Sequence, residues 1–165
     1  MTHYARIELQ KEAMKFSSGH FTIFSATQRE PVHGHNFLVG AELVAPVSAE
    51  GLTFDYRIYR RKLVALCQEL NCRFLVPMQS PHLAVSGRAG NVELVFNGDV
   101  ISLPKADVLE LPLTNTTSEE LSRWFVTRLT AERDEIDRFR ILELSVRVAT
   151  TPGQWAVTRW SGSDE

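Results

Sequence analysis

One long alternation of apolar residues constrains this chain more than any other feature. Apolar side chains occupy every second position from Phe37 to Leu43, and His33 and His35 continue the same parity at the start of the run. Residues i and i+2 of a strand face the same side. The pattern therefore predicts a strand at about 33–44 that carries two imidazoles at one end of its apolar face.

A third histidine lies on a second extended segment. His20 ends this segment and has the same parity as Phe16. If the two segments pair, His20, His33 and His35 converge. Three histidines with an open fourth position are the usual ligand set of catalytic zinc. The sequence therefore predicts a zinc site, with Glu30 three residues before His33; the alternative is that these are strand-end histidines without a function.

The other patterns place further strands around two helices. Residues 4–16 are predicted to be extended, with a parity switch near 10–13 that indicates a bulge or a break. A helix of about four turns is predicted after a cap at Asp55. A second helix starts near Thr117, with Thr117 and Glu120, or Thr116 and Glu119, as the capping box.

The region between the two helices has the pattern of a β-hairpin. Asn97-Gly98 between apolar runs is a strong hairpin signal, because both central residues of a type I′ turn need a positive φ. Alternation at 142–148 and at 155–160 predicts two final strands. Because strands and helices are grouped rather than alternating singly, the class is α+β, an antiparallel sheet with helices on one face and an inserted β-hairpin.

Composition limits the remaining possibilities. The 165 residues predict one domain, 1–160, with a disordered tail at 161–165. A net charge of −2 gives no basic field for nucleic acid. No apolar run reaches the roughly 20 residues of a membrane span, and the N-terminal residues lack the apolar core of a signal peptide. With two cysteines only, a reducing cytoplasmic location is expected.

Five motifs together resemble a known enzyme family. They are FSSGH, HGHNF, LTFDY, NTTSEEL and VRVATTP, spread in order over residues 16–155. In this order they resemble the 6-pyruvoyltetrahydropterin synthase/6-carboxytetrahydropterin synthase family. The resemblance implies a tunnelling fold, with a four-stranded antiparallel sheet and two helices, assembling as a homotrimer or homohexamer. It also implies Zn²⁺ on the three histidines and a lyase reaction on 7,8-dihydroneopterin triphosphate.

One departure concerns the catalytic residue that the family carries before its HGH motif. The family usually has a cysteine four residues before the first histidine, and Arg29 occupies that position here. A subgroup has Glu-x-x-His-Gly-His instead, which resembles the run from Glu30 to His35, and is associated with forming 6-hydroxymethyl-7,8-dihydropterin. This makes Glu30 the candidate general base. The alternative is a solvated loop residue or a partner of a zinc histidine.

Three further positions depart from the family pattern or match it only in part. An Asp-His pair is usual after the first helix, whereas Asn71-Cys72 stands here. Cys72 is then a candidate proton carrier, although a buried structural cysteine is favoured. The pterin-anchoring glutamate corresponds to Thr150, which cannot accept two parallel hydrogen bonds. Thr117 and Glu119 match the family's Pro-Thr-x-Glu pattern and are candidates for the substrate pocket, with a role at the helix start as the alternative for Glu119.

The sequence leaves two classes of function open. The first is a zinc-dependent lyase of pterin biosynthesis, with Glu30 moving protons. The second is a homologue that binds a metal and a pterin or purine without turnover or with a shifted substrate, as the missing Asp-His pair and glutamate indicate. The intact histidine set favours the lyase, because an unused imidazole cluster offers no packing advantage.

Overall fold

The computed structural model describes residues 3–162, which form ten strands and three helices. The elements in chain order are β1 (Tyr4–Leu9), β2 (Lys15–His20), β3 (His33–Pro46), α1 (Arg57–Leu70), β4 (Arg73–Pro77), β5 (Ala84–Arg88), β6 (Asn91–Phe96), β7 (Asp99–Pro104), β8 (Val108–Leu111), α2 (Ser118–Thr130), α3 (Arg133–Phe139), β9 (Glu143–Ala149) and β10 (Ala156–Ser161).

The main sheet is mixed and larger than predicted. Its centre is the antiparallel path β10-β9-β3-β2, which matches the predicted four strands. Beyond β2, the strands β4 and β8 extend the sheet through parallel pairings. The sequence did not predict β4, because this strand has apolar residues on both faces. Leu75 packs in the main core, whereas Phe74 and Val76 pack in a second core. A strand buried on both faces lacks the period-two signal.

β1 and β2 are two parts of one strand that is interrupted. Both pair with β3, β2 opposite residues 33–38 and β1 opposite residues 41–46. The interruption is a turn in which the Met14 amide donates to the Lys11 carbonyl oxygen. It shifts the buried parity from Leu9 to Met14 and Phe16. The break predicted near 10–13 is therefore confirmed.

The two predicted helices are present, with small differences at their caps. Tyr56 rather than Asp55 is the N-cap of α1, although an Asp55 carboxylate oxygen accepts from the Arg57 amide at 3.1 Å. Thr117 caps α2 by accepting from the Glu120 amide at 3.3 Å. The reciprocal half of the capping box is missing, because Glu120 accepts from Thr114 instead.

The short helix α3 was not predicted. It has seven residues and only Ile136 among them is buried, so its apolar periodicity is too weak to recognise. Its charged residues include Glu135, whose carboxylate forms an ion pair of 2.7 Å with Lys62 of α1. This ion pair links α3 to α1.

The region between α1 and α2 holds a three-stranded sheet where a two-stranded hairpin was predicted. β5, β6 and β7 pair antiparallel in that order. Asn97 and Gly98 form the turn between β6 and β7, with φ of 46° and 89°, as the Asn-Gly signal predicts. One face of this insert sheet packs against β4 and the segment after β2, forming the second core: Phe21, Ile23, Phe74, Val76, Leu83, Val92, Leu94 and Phe96.

The main core lies between the large sheet and the helices α1 and α2. Every second residue of β3 from Phe37 to Ala45 is buried, as the alternation predicts. At the chain's end β10 runs through Ser161, the first residue of the predicted tail, and residues 163–165 lie outside the described part of the chain. Within residues 3–162, every helix is too short or too polar to cross a bilayer.

Replacing Phe37 by alanine should destabilise the protein strongly. Phe37 is fully buried and its ring stacks on Phe16 with 4.7 Å between centroids. Truncation of a buried phenylalanine costs about 3–5 kcal/mol. Denaturant unfolding of Phe37→Ala measures this loss. Val100→Ala is the control, since Val100 is 61% exposed and should cost less than about 1 kcal/mol; equal losses in the two variants would contradict the assignment of the core.

Candidate functional site

Strand pairing brings the three histidines together. His20 is directly opposite His33 in the β2–β3 ladder, and Ser18 is opposite His35, so all three imidazoles lie on the core side of the sheet. Ring centroids are 4.7 Å apart for His20 and His33, 5.3 Å for His20 and His35, and 4.7 Å for His33 and His35. The convergence predicted from strand parity is present.

Backbone carbonyls fix the orientation of two of the rings. His20 Nδ1 lies 3.0 Å from the Thr116 carbonyl oxygen, and His33 Nδ1 lies 2.8 Å from the Pro31 carbonyl oxygen. A carbonyl oxygen only accepts, so each Nδ1 carries a proton and donates it. In the neutral ring, Nε2 then keeps its lone pair, as a metal ligand requires.

The cluster fits a metal ion. One ligand atom from each of the three rings lies within 4.8 Å of the others, and His33 Nε2 is 3.0 Å from His35 Nε2. His20 Nε2 is buried and has no hydrogen-bond partner among residues 3–162. A buried nitrogen lone pair without a partner is costly in a folded protein. Coordination of a cation would satisfy all three Nε2 atoms at once.

Burial favours the neutral form of His20 and His35. Desolvation, with a smaller effect from the charge of His33, lowers the pKa of His20 to about 4. Desolvation and the same neighbour also lower the pKa of His35. Neutral imidazole is the form that binds a metal. The position of the rings in the fold therefore favours the ligand form at neutral pH.

Glu30 lies beside the histidines. Its Oε2 is 3.8 Å from His33 Nε2 and accepts from the Thr22 amide at 2.9 Å. Desolvation raises the pKa of this carboxyl, but the hydrogen bonds from the Thr22 side chain and amide, and the attraction of His33 and His20 when they are protonated, outweigh it, so the net pKa is lowered. The group is ionised at neutral pH and is placed to accept a proton next to the cluster.

Two neighbouring residues that the sequence did not identify hold the site together. The Thr116 hydroxyl donates to the Phe21 carbonyl oxygen at 3.1 Å, while its own carbonyl binds His20. The Asn115 side chain accepts from the Ile23 amide at 3.1 Å and donates to the Ile23 carbonyl at 2.7 Å. These contacts join residues about ninety positions apart, so no local pattern in the sequence reports them.

Cys72 is exposed, so the preference for a buried structural cysteine was wrong. It has a positive φ of 56°, and its amide donates to the Ser17 carbonyl oxygen. Cys72 and His35 both line an open cavity of about 480 Å³. The adjacent cation, Arg73, donates to the Ala106 carbonyl oxygen. Asn71, at the family's aspartate position, accepts from the Ser17 amide at 2.8 Å and so has a structural contact.

The three predicted pocket residues are less closely tied to the cluster. Thr117 follows Thr116 and caps α2. Glu119 is exposed in the first turn of α2, and Thr150 is half-buried just after β9. Ala149 pairs with Leu38, so Thr150 leaves the sheet near the end of β3 that carries the histidines. Their roles in binding stay predictions.

Acid should destabilise the metal-free protein through His20. Between its ordinary pKa of 6.5 and its folded value of about 4, the unfolded chain binds a proton that the folded chain does not. Folding stability is therefore lost as the pH falls through this window, by about 3 kcal/mol from His20 alone. Denaturant unfolding at pH 7 and pH 4.5 measures the loss, which His20→Gln should reduce.

The exposed His82 provides the control for this experiment. His82→Gln should keep the pH dependence of the wild-type protein. An unchanged pH dependence in His20→Gln would contradict the assignment of the destabilisation to the buried ring.

Comparisons with known proteins agree with this fold and identify its family. A profile of the family described as 6-pyruvoyl tetrahydropterin synthase matches residues 8–160. A Methanocaldococcus jannaschii protein, provisionally described as a 6-carboxy-5,6,7,8-tetrahydropterin synthase, is 24% identical over 147 residues, which are 88% of this chain and 90% of that protein.

Solved structures of similar fold come from Plasmodium. The 6-pyruvoyl tetrahydropterin synthase of P. falciparum superposes with a TM-score of 0.90 at 22% identity, over 96% of this chain and 98% of that one. The P. vivax enzyme gives 0.91 at 23%, over 96% and 99%. A further P. vivax structure, with the same TM-score, is of a variant at a glutamate described as a catalytic residue. With its T-fold and its histidine cluster, the chain belongs to the 6-pyruvoyl tetrahydropterin synthase family.

Proposed function

We propose that this protein is a zinc-dependent lyase that acts on 7,8-dihydroneopterin triphosphate or a related pterin. The observation that supports this most directly is the ionised Glu30 carboxylate, 3.8 Å from His33 Nε2 at the edge of a three-histidine cluster. A base and a metal site side by side are what removal of a proton next to an oxygen-bearing carbon requires. The use of a catalytic glutamate in the P. vivax enzyme supports the same assignment.

His20, His33 and His35 would hold the zinc ion through Nε2. When bound, zinc supplies Lewis acidity that polarises the hydroxyl and carbonyl oxygens of the pterin side chain. The protein's own part is to present three converging rings, two of them oriented by the Thr116 and Pro31 carbonyls. Histidine-only ligand sets with an open position are characteristic of catalytic zinc.

Glu30 would take and return protons on the substrate side chain. Thr22 holds this carboxylate through hydrogen bonds, one of them from its amide to Oε2, at the edge of the histidine cluster. Its lowered pKa ensures that it starts as the carboxylate. Thr117, Glu119 and Thr150 are proposed for the wall of the pterin pocket, where Thr150 offers one hydroxyl in place of a forked carboxylate.

The second candidate is a homologue that binds a metal and a pterin or purine without this turnover. The observation favouring it is that Asn71 occupies the family's acid position and is already bonded to the Ser17 amide. An amide cannot titrate, so the relay implied by the family resemblance is missing. Cys72 is exposed, and it stays the candidate substitute for the second proton carrier that the sequence indicated.

We also propose that the chain assembles as a homotrimer or homohexamer. β1 and β10 each pair with one other strand in residues 3–162, and each carries an exposed large apolar residue, Tyr4 at 50% and Val157 at 61%. Open sheet edges require pairing or cover. Joining such edges between copies would satisfy them.

Protein purified without added zinc should contain about one zinc ion per chain. Metal analysis of the wild type and of His33→Ala tests this, because loss of one of three ligands should release the ion. His82→Ala is the control with an exposed histidine. Full zinc occupancy in a His33→Ala/His35→Ala double variant would show that the ion is held elsewhere.

Glu30→Gln should lower kcat for 7,8-dihydroneopterin triphosphate by about 100-fold or more, since glutamine cannot accept the proton. The zinc content of this variant should be unchanged. Cys72→Ser should leave most of the activity. Mass identification of the pterin product from the wild type shows which bond is cleaved. The opposite pattern would assign the proton transfer to Cys72, and an inert wild-type protein that still binds the pterin would favour the second candidate.

Light scattering should report an oligomer at micromolar concentration. The expected mass is three or six times that of the 18.7 kDa chain. A monomer at this concentration would reject the proposed assembly. Val157→Arg places a charge on the open face of β10. This change should shift the distribution towards smaller species, because β10 lies in the proposed interface.

A further inference from the structure

We propose that Arg29 is a positioning residue for Glu30, and that the insert sheet of β5–β7 holds the Arg29 side chain in place. The inference rests on the proposed function, because it assigns a role relative to the Glu30 carboxylate. Arg29 stands at the position where the family resemblance places a cysteine.

Arg29 contacts the main chain of its neighbour directly. Its Nη1 donates to the Glu30 carbonyl oxygen at 2.9 Å. Glu30 is also held by its amide, which donates to the Thr22 carbonyl at 2.9 Å, and by its Oε2, which accepts from the Thr22 amide. The main chain on both sides of the Glu30 Cα is thus fixed, which restricts where its carboxylate can lie.

The same guanidinium is anchored in the second core. Its carbon lies 5.2 Å from the centroid of the Phe21 ring and 5.7 Å from that of Phe96. Both rings are buried, and cation–π contacts at this distance are favourable, more so when they are shielded from water. Arg29 therefore spans from a ring of β6 to the carbonyl of Glu30.

An ion pair adds a contact with the turn of the insert. Arg29 Nη2 is 3.6 Å from an oxygen of Asp99, at the start of β7. The Arg29 side chain is 18% exposed, whereas that of Asp99 is 73% exposed. Exposed pairs of this kind contribute little. We therefore expect the rings and the carbonyl contact to matter more than the charge pair.

The kinetic test compares Arg29→Ala, Arg29→Lys and Asp99→Asn with wild type, using 7,8-dihydroneopterin triphosphate. Misplacement of a catalytic group by about 1 Å costs on the order of 100-fold. Arg29→Ala should lose about this factor in kcat with zinc content and KM little changed. Arg29→Lys keeps the charge without the planar fork and should be intermediate; Asp99→Asn should lose less than about threefold.

A double variant separates positioning from a direct catalytic or a purely structural role. If Arg29 acts through Glu30, adding Arg29→Ala to Glu30→Gln should cause no further loss in kcat, whereas independent effects multiply. Arg88→Ala is the matched control, since Arg88 is an exposed arginine of the same insert sheet. Multiplicative losses in the double variant, or an unchanged kcat in Arg29→Ala, would overturn the proposal.

Amide hydrogen exchange gives a readout that does not need turnover. Arg29→Ala should accelerate exchange at residues 22–30 at least about tenfold, with protection in β3 and α2 unchanged. If the wild type proves inert, the proposed lyase function fails and the exchange result alone decides the role of Arg29. Unchanged exchange at these residues, or a uniform loss of protection over the chain, would overturn the positioning role.

Discussion

The antiparallel register between β2 and β3 is the constraint on which the site depends. A slip of one residue would turn the histidines of one strand to the opposite face. The register that places His20 opposite His33 also stacks Phe16 on Phe37. On the other face, Gly19 leaves room for Phe74, since a Cβ there would lie 2.7 Å from its ring. Apolar packing on both faces thus sets the geometry of the histidine cluster.

The sequence predicted the strands whose apolar residues alternate with a period of two. It did not predict the features that depend on contacts between distant parts of the chain. The alternation from His33 along β3 placed three imidazoles on one face, and they converge there. β4 carried no such signal, because both of its faces meet apolar cores. The residues that orient the site, Thr116 and Asn115, act through contacts with Phe21 and with Ile23. These partners are distant in sequence, so only the structure identifies them.

In the histidine cluster, the burial of His20 links folding stability to the capacity to bind a cation. Burial disfavours the charged form of His20, which costs stability in acid. The same burial leaves the Nε2 lone pair free and without a partner. A cation that binds there removes this cost, so binding free energy becomes folding free energy. The same desolvation of His20 therefore lowers the stability of the protein in acid and keeps the ring in the form that binds a cation.

The insert sheet and the arginine before Glu30 depend on each other. A guanidinium that is mostly buried needs partners, and Arg29 contacts the rings of Phe21 and Phe96 and, through Nη1, the Glu30 carbonyl. Within residues 3–162 its buried Nε has no hydrogen-bond partner. Phe96 belongs to β6, so without the insert this charge would lose one of its two rings and its ion-pair partner. The segment from 21 to 30 is accordingly not a free loop. It is held between the hydrogen bonds from Asn115 and Thr116 on one side and the second core on the other, and Glu30 meets the histidines from this fixed position.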